Sequence, residues 1–156
     1  METCFINSPL GIIKIVGDEN GISEISVTSE GAISETIPIE LQEAVSQLGD
    51  YFDGKRKDFN FKLNPKGTDF QQKVWQELLN IPFGKTISYL DLSKKLGDVK
   101  AIRAVASANG KNPLWIVVPC HRVIGTDGSL TGYAGGLWRK KWLLEHENPT
   151  NQQSLF

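Results

Sequence analysis

Residues 88–109, "SYLDLSKKLGDVKAIRAVASAN", predict two short helices joined by a tight turn. Ser88 and Asp91 form a helix-starting pair, because a serine side chain at this place accepts a hydrogen bond from the backbone of the first turn. Gly97 is a typical helix stop, and a second helix over residues 99–109 follows after a very short connection. Two helices joined this tightly are typical of a helix-turn-helix, a motif that places its second helix in a groove of DNA.

The second of these helices is rich in alanine and carries positive charge. Small residues such as Ala104 let a helix approach a sugar-phosphate surface closely, as in a minor groove, while Lys100 and Arg103 attract phosphates. A structural explanation is equally simple, because alanine is the best helix former and permits close helix packing. The alanines therefore favour contact with DNA without requiring it.

The rest of the chain predicts an α+β protein of two small domains. Residues 1–65 contain β-branched, partly alternating stretches punctuated by glycines, followed by one helix, which predicts a strand-rich α/β domain. A Pro-Gly break precedes Thr68 and Gln71, which form a capping box at the start of another helix. We therefore expect a mostly helical second domain over residues 66–150 and a frayed tail over residues 151–156.

Charge is divided unevenly between these two parts. The chain of 156 residues has a formal net charge of −1, but residues 1–65 carry −6 and residues 66–156 carry +5. The basic part is suited to facing a polyanion, although chance segregation of solvated charges gives the same totals. The N-terminus has no secretory pattern, no apolar run is long enough to cross a bilayer, and two cysteines cannot build a disulfide scaffold. These features predict an intracellular protein without a membrane span.

Cys120 lies in a setting unlike that of the other cysteine. The apolar run "LWIVV", residues 114–118, predicts a buried strand that ends at Pro119 and leaves the Cys120 thiol at a strand-to-turn junction. The adjacent His121 and Arg122 would favour the thiolate, which is the reactive form of cysteine. Cys4, next to apolar residues near the N-terminus, is interpreted as a buried structural thiol.

The residues near Cys120 leave two catalytic interpretations open. With Cys4 interpreted as structural, Cys120, His121 and the only other histidine, His146, leave too few ligands for a zinc site built from Cys and His. Because neighbouring residues of a strand point to opposite faces, His121 would act on Cys120 through a water or a turn, with Glu145 or Glu147 orienting the ring. A thiol hydrolase that recruits the distant His146 remains an alternative, and a purely DNA-binding protein is another.

Four sequence blocks, taken together, resemble one known family. They are "GTDFQQKVWQELLNIPFGKTISY", "AIRAVASANGKNP", "IVVPCHRVIGTDGSLTGYAGG" and "LLEHE". In this order and spacing they closely resemble the O6-alkylguanine-DNA alkyltransferases, also called methylated-DNA–protein-cysteine methyltransferases. The resemblance is convincing over about residues 40–147 and loose before them. It implies a ribonuclease-H-like N-terminal domain and a winged-helix-like C-terminal domain.

The resemblance also implies a catalytic role for four residues. Cys120 would accept the alkyl group from the O6 atom of a guanine flipped out of the duplex, once and irreversibly. His121 would act as general base through a water, and Glu147 would align that histidine. Tyr89 would displace the neighbouring phosphate and donate a proton toward the departing guanine.

The same resemblance assigns residues to DNA and to the flipped base. Arg103 would fill the gap that the base leaves in the duplex. The DNA-binding residues implied are Tyr89, Lys100, Arg103, Ala104 and Asn109, and the substrate-binding residues implied are Asn112, Val123 and Tyr133. Double-stranded DNA with alkylated bases, bound in the minor groove with little sequence specificity, is the expected partner. We expect no metal or other cofactor, a cytoplasmic monomer, and leave open the alkyl size and activity on O4-alkylthymine.

Overall fold

Three antiparallel strands open the chain and form one sheet in the order β1-β2-β3. In the computed structural model, which describes residues 1–130 and 132–149, these strands are β1 (Glu2–Ser8), β2 (Gly11–Asp18) and β3 (Gly21–Thr28). Alternate side chains of each strand face the core, so that Cys4 lies opposite Ile15 and both are fully buried. The partial alternation in the sequence is therefore the inward face of this sheet.

One helix completes the N-terminal unit. A single 3₁₀ turn, Ile39–Leu41, leads into α1 (Gln42–Phe52). The chain then returns to the sheet, where the Ile22 amide donates to the Lys62 carbonyl at 2.9 Å. Sheet and helix together form the compact unit Met1–Lys66, and the rest of the chain forms a second unit, Gly67–Phe156.

Helix α2 (Asp69–Leu78) begins the second unit with the expected capping box. The Gln71 amide donates to Thr68 Oγ1 at 3.1 Å, and the Thr68 amide donates to Gln71 Oε1 at 2.9 Å. Trp75 is buried, and its Nε1 donates to the Ala108 carbonyl at 2.8 Å. This bond connects α2 to the end of the helix that carries the alanines.

The predicted pair of short helices is present. They are α3 (Tyr89–Lys95) and α4 (Ile102–Gly110), and the Ser88 hydroxyl caps α3 by accepting from the Asp91 amide at 3.0 Å. A 3₁₀ turn, Val99–Ala101, leads directly into α4 and replaces the first turn of the predicted second helix. Two short parallel strands, β4 (Ile87–Ser88) and β5 (Val123–Ile124), connect this motif to the segment that follows Cys120.

The prediction of a strand over residues 114–118 is wrong. This apolar run folds as a buried turn, in which the Val118 amide donates to the Leu114 carbonyl at 3.0 Å and Ile116 has a positive φ of 75°. A left-handed conformation is uncommon for a β-branched residue and interrupts any extended segment. A short, fully apolar run reports burial, and by itself it does not distinguish a strand from a compact turn.

The last described element is α5 (Leu137–Glu147). The predicted tail, residues 151–156, lies outside the described residues, as does Thr131. Within the described part of the chain, no helix combines the length and the apolar character that crossing a membrane requires. The strand-rich first unit and the helical second unit confirm the α+β class.

Candidate active site

Cys120 lies at the start of a single 3₁₀ turn, Cys120–Arg122, that follows the buried turn. Its amide donates to the Val118 carbonyl at 2.8 Å, and only 4% of the residue is exposed. Because a 3₁₀ turn rotates successive side chains by about 120°, Cys120 and His121 diverge without pointing to opposite faces as in a strand. The predicted position of the thiol next to a turn is thus correct, although no strand precedes it.

The side chain of Asn112 holds this region in shape. Its Nδ2 donates to the Val118 carbonyl at 2.7 Å and to the Leu114 carbonyl at 3.3 Å, while its Oδ1 accepts from the Leu114 amide at 2.9 Å. Asn112 is 3% exposed, so it satisfies backbone groups that would otherwise be buried without partners. Asn112, which the family resemblance assigned to substrate binding, therefore acts as a scaffold for the turn before Cys120.

Behind the cysteine, three charged or polar side chains form a buried network. His121 Nε2 lies 2.7 Å from Glu147 Oε2. Arg122 contacts the same carboxylate through Nε at 2.8 Å and Nη2 at 3.0 Å, and its Nη1 donates to the Ile81 carbonyl at 2.7 Å. A fork of this kind fixes the carboxylate, and the carboxylate in turn fixes the histidine ring.

Glu147, and not Glu145, is the acid that contacts His121. Glu145 lies 4.0 Å from Lys141 on the same helix. Burial alone would raise the pKa of Glu147, but the charge and hydrogen bond of His121, together with Arg122, lower it well below its usual range. Glu147 is therefore ionised at all pH values at which the protein functions.

Removing this carboxylate is expected to destabilise the protein. Glu147→Leu leaves Arg122 as an unpaired buried charge, which costs about 3–5 kcal/mol of the free energy of unfolding. Because the pKa of Glu147 is depressed in the folded state, the stabilisation is present above about pH 4, the unfolded value, and is lost as the pH falls further toward the folded value. Urea unfolding at pH 7 and pH 3 measures both effects.

A matched variant separates charge from packing. In the double variant Glu147→Leu/Arg122→Leu no buried charge is left unpaired, so most of the lost stability should return. A single Glu147→Leu variant as stable as the wild-type protein at pH 7 would contradict this account of the network.

The expectation that His121 and Arg122 favour a Cys120 thiolate is wrong. Burial raises the pKa of the Cys120 thiol to about 11, and the groups that oppose this rise are Asn112, Lys140 and Tyr133. His121 and Arg122 are instead both directed at Glu147. The resting site therefore holds a thiol, and its proton has to be removed during the reaction.

Lys140 is a residue of the site that the sequence interpretation missed. It is fully buried, its Nζ donates to the Gly132 carbonyl at 3.3 Å, and burial lowers its pKa to about 8. Its Nζ also lies 5.9 Å from the centre of the Tyr89 ring. Lys140, Leu143, Leu144 and Glu147 form the buried face of α5 with helical spacing. Two charged residues on an otherwise apolar helix face were a detectable signal of a site.

A cavity of about 600 Å³ opens next to the thiol, a size typical of ligand sites. Tyr89, Arg103, Asn109, Cys120 and Tyr133 are among its lining residues. Other lining residues are small or apolar, including Ile102, Ala106 and Ala134. The cavity thus combines an apolar surface with a few polar groups and one nucleophile.

The loop that carries Tyr133 is packed against the preceding turn. The rings of Tyr133 and Trp115 lie 5.7 Å apart. Gly135 is required beneath them, because an added Cβ would lie 2.8 Å from the Tyr133 ring and 2.9 Å from the Trp115 ring. Burial raises the pKa of Tyr133 well above its ordinary value, so its hydroxyl keeps its proton next to Cys120.

The other predicted residues lie around this cavity in two groups. Lys100, Arg103 and Ala104 are exposed on the 3₁₀ turn and on α4, and of these Arg103 lines the cavity. Asn112 and Val123 are buried and do not line the cavity. His146 stacks on Trp142, with ring centres 4.7 Å apart. Within residues 1–130 and 132–149, no three His, Cys, Asp or Glu side chains are grouped as metal ligands would be.

Comparison with known proteins gives matches along almost the entire chain. Residues 2–65 match the ribonuclease-like domain of 6-O-methylguanine DNA methyltransferase, and residues 69–149 match the DNA-binding domain of the same family. The methylated-DNA–protein-cysteine methyltransferase of Methanosarcina barkeri is 44% identical over 149 residues, which cover 91% of this chain and 94% of the relative.

Solved structures agree with these sequence matches. The crystal structure of Mycobacterium tuberculosis O6-methylguanine methyltransferase has a TM-score of 0.85 and 41% identity, covering 95% of this chain and 93% of the other. A structure of the M. tuberculosis protein in complex with DNA has a TM-score of 0.84 and 41% identity, covering 97% of this chain and 92% of the other. Both domains and their order therefore match, and the chain belongs to the O6-alkylguanine-DNA alkyltransferase family.

Proposed function

We propose that this protein repairs DNA by direct reversal, transferring the alkyl group of O6-alkylguanine to Cys120. The observation that carries the proposal is a buried cysteine thiol that lines a cavity of ligand size and is backed by the His121–Glu147 pair. The relatives indicate the reaction, since they are named methylated-DNA–protein-cysteine methyltransferases. The alkyl group therefore moves from DNA to the protein, which is its own acceptor.

The proton donors and acceptors of the site fit this reaction. The Cys120 thiol gives its proton to His121 through a bridging water, and His121 Nδ1, buried and without a hydrogen-bond partner in the described structure, is the atom available for that water. Glu147 stabilises the imidazolium through Nε2. The sulfur then attacks the alkyl carbon as the carbon–O6 bond breaks, and Tyr89 delivers a proton to the departing guanine.

The nature of the product makes the reaction a single event per protein molecule. Its product is a thioether, and among the described residues around Cys120 none is placed to hydrolyse a carbon–sulfur bond. The transfer itself needs alignment, a base and an acid, all of which side chains supply. The protein is therefore both reagent and catalyst, and it is consumed by the reaction.

Docking on double-stranded DNA is proposed for the exposed side of the helix pair. Lys100 and Arg103 carry positive charge there, and Ala104 leaves the backbone nearly bare next to Arg103. This surface suits a minor groove, with little sequence readout. The target base has to leave the stack to reach Cys120. Arg103 is exposed and also lines the cavity, which supports the proposal that it occupies the gap.

The remaining assignments follow from this function. Asn112 supports the turn before the cysteine, Val123 supports the strand after it, and Tyr133 covers the flipped base. We propose a monomer that acts in the cytoplasm, with the domain boundary along the chain near residues 65–66. The thiol hydrolase alternative is not favoured, because His146, the histidine it would recruit, is stacked on Trp142.

Stoichiometry tests the proposed function. With a tenfold excess of duplex DNA containing O6-methylguanine, we expect one lesion to be repaired per protein molecule, after which repair stops. Liquid chromatography of the digested DNA counts the remaining lesions. Continued repair beyond one equivalent would point to a turnover enzyme, and no repair at all would contradict the proposal.

A further inference from the structure

Asn109 occupies the last turn of α4 at the wall of the cavity. It is 4% exposed, and its Nδ2 lies 3.4 Å from the Cys120 carbonyl oxygen and 3.5 Å from the Tyr89 hydroxyl. A carbonyl oxygen only accepts hydrogen bonds, so the NH₂ side of the amide has to face Cys120. The orientation of the Asn109 side chain is therefore determined by its neighbours.

In this orientation the amide oxygen is a hydrogen-bond acceptor that is not used. Asn109 Oδ1 is buried, and among the described residues it has no hydrogen-bond partner. Buried polar atoms without partners are rare in folded proteins and are found where a ligand or water completes them. The terminal torsion of asparagine is soft, which allows Oδ1 to turn toward a ligand in the adjoining cavity. An acceptor of this kind selects a ligand that can donate.

Hydrogen-bond donors differ between the alkylated bases. Alkylation at O6 removes the proton from N1 of guanine, so the exocyclic 2-amino group is the one remaining donor of that base. Alkylation at O4 of thymine likewise removes the proton from N3 and leaves no donor. An unpaired acceptor in the cavity would therefore be satisfied by O6-alkylguanine and left unsatisfied by O4-alkylthymine.

We infer that Asn109 determines base specificity: its Oδ1 accepts a hydrogen bond from the 2-amino group of the flipped O6-alkylguanine, while its Nδ2 holds Tyr89 and the Cys120 carbonyl in place. This inference rests on the proposed function and deepens it, since it names the base that the cavity selects. It also assigns a direct contact with the base to a residue that sequence resemblance placed only among the DNA-binding residues.

This contact is tested by comparing two proteins on two substrates. The substrates are duplexes containing O6-methylguanine or O6-methylhypoxanthine, which lacks only the 2-amino group, and the variants are wild type and Asn109→Leu. We expect wild type to prefer O6-methylguanine by about 10- to 100-fold in the second-order rate of repair. Asn109→Leu should lose most of this preference, because it slows repair of O6-methylguanine more than repair of O6-methylhypoxanthine.

A second variant protects the test against a general structural effect. Asn109→Asp keeps an acceptor oxygen and loses the donor, so it should repair both substrates more slowly but retain the preference for the 2-amino group. A third substrate, O4-methylthymine, should be disfavoured by wild type and less so by Asn109→Leu. Equal slowing of all substrates in both variants, or an unchanged preference in Asn109→Leu, would overturn the assignment. Repair of O6-methylguanine by wild type is measured in the same series, so failure of the proposed function would be recognised separately.

Discussion

Cys120→Ala is expected to lose repair of O6-methylguanine completely, because the variant lacks the sulfur that accepts the alkyl group. Binding to duplex DNA should persist, since the exposed residues of α4 are unchanged. The substitution removes one buried sulfur, so we expect a loss of stability of about 1 kcal/mol, too small to unfold the domain. Lesion content after incubation and a gel-shift titration measure repair and binding separately.

The chain supplies its own control for this experiment. Cys4 is the other cysteine, and it is fully buried in β1 of the N-terminal unit. Cys4→Ala should therefore repair one equivalent of lesion, as wild type does. Repair that survives in Cys120→Ala and is lost in Cys4→Ala would reverse the assignment.

His121→Gln is expected to slow alkyl transfer by about 10²–10⁴-fold, the usual contribution of a general base. The resting thiol has a pKa of about 11, so without a proton acceptor very little thiolate forms at neutral pH. Because direct ionisation of the thiol then limits the reaction, the residual rate of the variant should rise about tenfold per pH unit between pH 7 and 9. Single-turnover repair measured across this range gives both the rate and its slope.

The second histidine provides the matched control for that prediction. His146 lies one residue before Glu147 on α5, but its ring stacks on Trp142. His146→Gln should repair at nearly the wild-type rate. If both variants were slowed equally, the effect would belong to helix α5 and not to a base at position 121.

Local signals predicted most of the fold correctly. The capping box at Thr68 and the cap at Ser88 are formed by side chains that bond to the backbone a few residues away, so sequence alone contains the whole interaction. The buried turn over residues 114–118 has a different origin. Its shape depends on the Asn112 side chain and on burial from several elements, neither of which an apolar run reports.

The candidate site was likewise predicted in part. The nucleophile and its histidine are neighbours in sequence, and Glu147 was placed by family resemblance. The charges that act on Cys120 could not be predicted from its neighbours in sequence, because His121 and Arg122 turn toward Glu147. Lys140, which is distant in sequence, is instead a group that opposes the effect of burial on the thiol pKa. Such long-range pairings require the packing of α5 against the cysteine turn, which the pattern of charges alone does not specify.

The most direct test of the account is the mass of the peptide that contains Cys120 after reaction. Wild-type protein is incubated with duplex DNA carrying O6-methylguanine, digested and analysed by tandem mass spectrometry. We predict one added methyl group, located on Cys120 and absent from the peptide that contains Cys4, with an equal amount of unmodified guanine appearing in the DNA. Loss of the lesion without a methyl group on Cys120, or an intact lesion after prolonged incubation with folded protein, would contradict the central claim.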